Sequence, residues 1–344
     1  MMKIHLLGKH SNRTPFSYKE YKSLFQRDFI YVNKPEYADF LVFGFYIDIK
    51  ENIDVIKESL IHNPQLKLVI LSEEPLWDSL WSGDFTKKKQ CINIDDLEIE
   101  YYFLNHQTTS IFDFDKIPYF LTTSDDYLVR YHTLFLQNSK LSTKEIRAIW
   151  EQAEIKKAFY AEHRLGDKYS VKFPEIDLQG LCSYRTELTS AFEGKDALIV
   201  GQGWGETIKR QKLADWHLDK LVALRNKSYI VSALENTHQI NYITEKIFDA
   251  FAVLAIPVYF ASDRHNINKI IKRETYINCY GKTIGEAVNL MDNIQITDEY
   301  VVNYKEQQLR LATIFSDYNA INKERQSVVG KVFNEFKNIK SASL

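Results

Sequence analysis

Apolar residues in this chain follow two patterns. Short, largely apolar runs occur at Lys3 to Leu7, Phe40 to Gly44 and Leu66 to Leu71, then at Ala158 to Tyr160, Tyr229 to Val231 and Ile256 to Phe260. Runs of that length suit strands covered on both faces. Between them the spacing turns helical. Asn52 to His62 carries Ile53, Ile56 and Leu60 on one face, and Leu141 to Lys157 opens with Ser142 or Thr143 and then Glu145, a capping pattern. Ile247, Ala250, Phe251 and Leu254 fall at i, i+3, i+4 and i+7. Strands alternating with helices predict doubly wound α/β domains. The alternation runs twice, predicting one domain over residues 1–150 and a second over 151–325, with a helix and tail over 326–344. In that last segment Val328, Val332, Phe336 and Ile339 make one apolar stripe, expected to pack onto the protein rather than a membrane.

Polar residues gather where the strands end, which is where open α/β sheets bind ligands. After Tyr229-Ile230-Val231 the chain reads SALENTHQINYITEKIFDAFAVLAIPVYF, residues 232–260. Thr244 is expected to cap the helix that follows, with Glu245 in its first turn. Lys246 would add a positive charge beside the helix's free N–H groups, an arrangement that suits a diphosphate. Glu235 or Glu245 could accept hydrogen bonds from hydroxyls. A capped, solvated surface helix would carry the same residue types.

Five further stretches bear on the chemistry. LKLVIL runs into Ser72-Glu73-Glu74-Pro75, leaving two carboxylates at a strand end as candidate general bases. Neighbours in an extended chain point to opposite faces, so only one would enter a cleft; a solvated acidic loop is the alternative. Arg185 heads Tyr184 to Phe192, and its guanidinium fork suits a diphosphate, with Arg164 in reserve. Asp113-Phe114-Asp115 spells D-x-D, a weak metal signature away from any clear strand. Gly201-Gln202-Gly203-Trp204-Gly205 is an incomplete dinucleotide fingerprint, without an acidic residue at the usual distance. Trp77, Trp81 and Lys87-Lys88-Lys89 are expected as a packed aromatic pair beside a solvated basic turn.

Composition narrows the field. The chain has 344 residues and a net charge of −2, so nothing electrostatic points to nucleic acid. Cys91, Cys182 and Cys279 lie far apart, which argues against a zinc site or disulfide framework and suits a reducing cytoplasm. Met2 to Leu7 is too short for a secretory signal, and the longest apolar run, near Ala250 to Ala261, is too short to span a membrane.

The stretch from Glu235 to Tyr259 resembles the donor-binding motif of family 10 glycosyltransferases, the α-1,3/α-1,4-fucosyltransferases, above all the bacterial members. Leu234 stands where the family usually has Phe. The resemblance implies a GT-B-like fold, two Rossmann-type domains facing each other across a cleft. It implies inverting transfer of fucose from GDP-fucose, with no cofactor and no catalytic metal. Lys246 and Asn236 would face the diphosphate, Tyr242 would line the nucleotide site and Glu245 would hold the ribose hydroxyls. Glu235 would join this donor set. Arg185 matches the family's phosphate-binding arginine, and Glu73 its base, which the family carries as G-E-N or E-S-P; Glu74 remains the alternative. The acceptor would be an oligosaccharide or glycolipid such as lipopolysaccharide, reached from the cytoplasm or from the periphery of the inner membrane. Two rivals stay open: a transferase of the same fold using another nucleotide sugar, and a non-catalytic saccharide-binding protein.

Overall fold

The computed structural model describes residues 1–76, 78, 80–82, 84–94, 97–205 and 212–342. The chain forms two compact units, Met1–Asp125 with Ile321–Leu344, and Asp126–Ala320.

The first unit is built on β1 (Met2–Leu6), β2 (Phe29–Tyr31), β3 (Phe40–Phe43), β4 (Lys67–Leu71), β5 (Lys89–Ile94) and β6 (Leu97–Leu104). Their order is β2-β1-β3-β4-β6-β5, with every pairing parallel except β5 against β6. The all-apolar runs became the central strands, as their two-sided burial requires. The edge pair β5 and β6 is not announced by any such run, and Lys89, expected in a basic turn, begins β5. The order reverses beside β1, and there backbones crowd together. A Cβ on Gly44, just past β3, would lie 2.0 Å from the carbonyl oxygen of His10, so only glycine fits.

The second unit holds a parallel sheet of β7 (Ile155–Tyr160), β10 (Ala197–Val200), β11 (Ser228–Ser232), β13 (Ile256–Tyr259) and β14 (Ile277–Asn278), ordered β10-β7-β11-β13-β14. β8 (Lys172–Phe173), β9 (Leu178–Gly180) and β12 (Thr237–His238) form a small separate sheet that the sequence pattern does not announce. Ser142 caps the helix Thr143–Glu151 in a reciprocal capping box with Glu145, as the spacing predicts. Both units are therefore α/β with parallel central sheets.

The division between units falls at Asp125/Asp126 and at Ala320/Ile321, rather than near 150 and 325. The helix Asp125–Asn138 is tied to the second unit by buried side chains. Tyr131 reaches Asp249, and Asn138 donates to the carbonyls of Phe251 and Ala252. The helix Tyr318–Ser341 goes the other way. Its stripe of Val328, Val332, Phe336 and Ile339 is buried in the core of the first unit, with the Phe336 ring against Phe16, Phe29 and Phe40. Among the described residues no helix is long and apolar enough to cross a membrane.

Phe336 is 0% exposed, so truncating it leaves a cavity rather than a solvated gap. Phe336→Ala should destabilise the first unit by about 3–5 kcal/mol, read as a lower urea midpoint for tryptophan-independent far-UV unfolding. A change under about 1 kcal/mol would mean the C-terminal helix is not part of that core.

Candidate active site

The order of the second sheet reverses at β7, between β10 and β11, and the loops leaving these strands meet there. A Cβ on Gly201, after β10, would lie 2.0 Å from the carbonyl oxygen of Ala161, after β7. The Trp204 indole donates to that same carbonyl at 2.8 Å. The loop leaving β11 brings in Glu235, which is 3% exposed. Its carboxylate accepts from the Thr244 backbone N–H (2.8 Å), the Thr244 hydroxyl (2.8 Å) and the Lys246 ammonium (2.9 Å). Thr244 thus serves Glu235 instead of capping the helix. That helix spans Lys246–Ala252, with Glu245 at the capping position and no side-chain cap.

Lys246 also lies 2.8 Å from the Thr244 hydroxyl and 3.5 Å from the Glu245 carboxylate. Burial alone would lower its pKa, but Glu235 and Glu245 outweigh that and raise it, so the ammonium keeps its charge. Burial pushes the Glu235 carboxyl up; Lys246 opposes the push and Glu245 adds to it.

Arg185, in the helix Cys182–Ser190, differs from Lys246. It is 7% exposed, yet makes only long contacts, to the Leu234 carbonyl at 3.4 Å and to the Cys182 sulfur at 3.6 Å. Its Nε has no acceptor among the described residues, and no carboxylate pairs with it there. A buried guanidinium without an anion is costly, because its lost hydration is not replaced. It lies close enough to Lys246 to disfavour that charge. Tyr242 is buried in the same loop, and the Asn236 carbonyl accepts from the Leu181 N–H at 2.8 Å. The structure therefore gathers Arg185, Glu235, Asn236, Glu245 and Lys246 on adjoining segments.

A second buried network lies one turn further along. Asp249 accepts from the Tyr131 hydroxyl (2.6 Å), His217 Nε2 (2.7 Å) and Lys220 Nζ (2.9 Å). Arg130 donates to His217 Nδ1 at 2.9 Å and pairs with Asp215, which leaves the imidazole proton on Nε2, facing Asp249. Nothing in the sequence spacing flagged this network, whose members come from three separate helices.

In the first unit Glu73 follows β4 and is 4% exposed. Its Oε1 accepts from Arg13 Nε (2.8 Å) and the Tyr18 hydroxyl (2.6 Å), and its Oε2 from the Tyr119 hydroxyl (2.7 Å). Burial, reinforced by the charge of Glu73, raises both phenols well above their usual range, so both stay protonated and donate. Both lone pairs of Oε1 are engaged and one on Oε2 remains. Arg13 also reaches Glu74 at 3.3 Å, so the two carboxylates share one guanidinium. The sequence marked the loop Gly8 to Pro15 as polar but gave Arg13 no role, and it missed Tyr18 and Tyr119.

Other expectations resolve simply. Asp113 and Asp115 are exposed on a turn whose backbone N–H groups, at 115 and 116, are bound by Glu324. No cluster of His, Cys, Asp and Glu suited to a metal occurs among the described residues. Arg164 pairs with Glu162, and the three cysteines are free thiols. Trp81 is exposed, while Trp77 lies outside the described residues.

Asp249 gives a pH prediction. Burial favours its neutral form, but Lys220 and His217 outweigh burial and hold the carboxyl down at about 2, against an ordinary 3.8. A depressed folded value stabilises above the unfolded value, so this contribution should be intact above about pH 4 and vanish towards pH 2. The difference is worth roughly 2 kcal/mol. Asp249→Asn should lose that acid dependence, and at neutral pH it should cost about 3–5 kcal/mol by stranding Lys220. Thermal unfolding of both proteins across that range is the measurement; parallel pH profiles would refute the assignment.

Residues 184–314 match the family described as glycosyltransferase family 10 (fucosyltransferase), C-terminal part. No curated protein matches the chain. Among solved structures, one of an α1,3-fucosyltransferase is 15% identical, covering 90% of this chain and 80% of its own, with a TM-score of 0.44. Another, of an α1,3-fucosyltransferase with GDP-fucose, is 16% identical over 92% of this chain and 91% of its own, with a TM-score of 0.42. These likenesses are slight, and the assignment rests on residues 184–314, which contain Arg185 and the whole Glu235 to Lys246 cluster. Over residues 184–314 the chain is similar to the C-terminal part of glycosyltransferase family 10.

Proposed function

We propose that this protein transfers fucose from GDP-fucose to a hydroxyl of a saccharide acceptor, with inversion and without a metal. The observation that carries the donor half is Arg185, a buried guanidinium with no carboxylate among the described residues, beside Lys246. A nucleotide diphosphate supplies the anion that such a cation lacks. Arg185 and Lys246 would stabilise charge building on the departing GDP, doing what a metal ion does elsewhere. Asn236 would contact the diphosphate, and Tyr242 and Glu245 the nucleoside. In the acceptor half Glu73 would take the proton of the attacking hydroxyl at Oε2, the oxygen with a lone pair still open. An oligosaccharide or glycolipid is the acceptor class we favour.

The three donors that hold Glu73 also support a second reading, in which it is a structural anion and the protein binds saccharide without turning it over. Glu73→Gln separates the two. If Glu73 is the base, turnover should fall by about 10²–10⁴-fold while GDP affinity survives. Unchanged turnover moves the role to Glu74, and a parent with no turnover at all leaves the binding reading.

Arg185→Ala should weaken GDP by about 10- to 150-fold, the loss expected for hydrogen bonds to a charged group. Lys246→Ala should fall in the same range and should weaken GDP clearly more than guanosine. Isothermal titration with GDP, GDP-fucose, GDP-mannose and a UDP-sugar measures these effects and tests the choice of sugar nucleotide. Equal affinity for GDP in both variants and the parent would remove the donor site from this loop.

A further inference from the structure

Among the described residues the one cation paired with Glu235 is Lys246, at 2.9 Å. Both carboxylates lie against that ammonium, Glu235 at 2.9 Å and Glu245 at 3.5 Å, while no carboxylate among the described residues pairs with the Arg185 guanidinium. A sugar-nucleotide diphosphate is a diester carrying two negative charges. Placed against Arg185 and Lys246 it draws the ammonium away from Glu235, which is 3% exposed and cannot turn to water instead. A buried carboxylate stripped of its counter-ion beside new negative charge neutralises by protonation.

We propose that Glu235 takes up one proton from solvent when the donor binds, so that the diphosphate is held by two cations beside a neutral acid. The proposal rests on the donor reading above and adds to it a role for Glu235. The surroundings of Glu235 accommodate the neutral form. The Thr244 hydroxyl lies 2.8 Å from both of its oxygens and can turn from donor to acceptor for the new O–H. The Thr244 backbone N–H still serves Oε1 at 2.8 Å, so neither carboxyl oxygen is abandoned. The groups facing Glu235 are Lys246 and Glu245 at the helix start, Arg185 from the helix Cys182–Ser190, and Tyr259 from β13. Burial, with the nearby charge of Glu235, raises the Tyr259 phenol well above its usual range, so it stays neutral and is not the proton acceptor. Burial likewise already raises the Glu235 carboxyl, against the opposing pull of Lys246. When GDP leaves, Lys246 returns to Glu235 and the proton goes back to solvent, so nothing accumulates over a cycle.

The test is isothermal titration of the full chain with GDP-fucose in buffers of differing ionisation heat. Both phosphates of GDP-fucose are esterified and do not titrate near neutrality, so any buffer dependence counts protons on the protein. The parent should take up as much as about one proton per donor, with affinity falling by up to about tenfold per pH unit as pH rises through the range where uptake is seen. Glu235→Gln should bind without buffer dependence, and Glu245→Gln should keep it. A protonated-carboxyl infrared band should also appear in the parent on adding GDP-fucose, a readout that needs no variant to fold. Tight binding with no uptake at any pH, or uptake that persists in Glu235→Gln, overturns the proposal and leaves the donor site standing. A parent that does not bind GDP-fucose overturns both.

Discussion

The constraint behind both halves of this protein is that charge taken out of water must be met inside. Parallel sheets covered by helices leave polar residues few places except the strand ends, where loops diverge and backbone groups are free. Glu73, Glu235 and Asp249 are all buried carboxylates. Each is met by several donors: Arg13, Tyr18 and Tyr119 for Glu73, Thr244 and Lys246 for Glu235, Tyr131, His217 and Lys220 for Asp249. Those donors come from distant stretches of chain, so satisfying three anions also sews loops to helices. Removing a donor would strand a charge, which costs more than the bond itself contributes.

How much of this could be read from sequence depended on whether the signal was local. The strands Met2–Leu6, Phe40–Phe43, Lys67–Leu71 and Ile256–Tyr259 follow from short, largely apolar runs. The helix Ile53–His62 and the capping box at Ser142 follow from spacing within a few residues. Glu73 at a strand end and the polar loop after Val231 were visible for the same reason. The stripe of Val328, Val332, Phe336 and Ile339 was also local, but its destination was not, and the helix proved to complete the core of the N-terminal unit.

What could not be read was assembled across distance. Tyr18 and Tyr119 sit 55 and 46 positions from Glu73, and Tyr131 sits 118 from Asp249. No periodicity couples such positions, and a tyrosine inside an apolar stretch reads as core until its hydroxyl finds a partner. Thr244 failed for a related reason. Threonine before a helix is the expected cap, yet the buried carboxylate of Glu235, nine positions earlier in the same loop, takes the Thr244 hydroxyl instead. The helix Asp125–Asn138 is amphipathic whichever core it joins, and contacts made by Arg130, Tyr131, Phe135 and Asn138 place it with the second unit.

The two cations beside Glu235 divide the work unequally. Lys246 is already spoken for by Glu235, so a ligand gains its charge only by displacing an internal partner. Arg185 offers a guanidinium whose desolvation is already complete and whose nearest oxygen is a carbonyl at 3.4 Å. An anion arriving there replaces lost hydration rather than an existing ion pair, and gains two parallel hydrogen bonds from a rigid fork. Arg185 is therefore suited to capture the diphosphate, and Lys246 to respond to it. The motif that stands out in the sequence is the responsive half, because it packs Glu235, Thr244, Glu245 and Lys246 into one short segment. Arg185, 50 residues before Glu235, was also marked in the sequence, and its burial adds that no carboxylate among the described residues pairs with it.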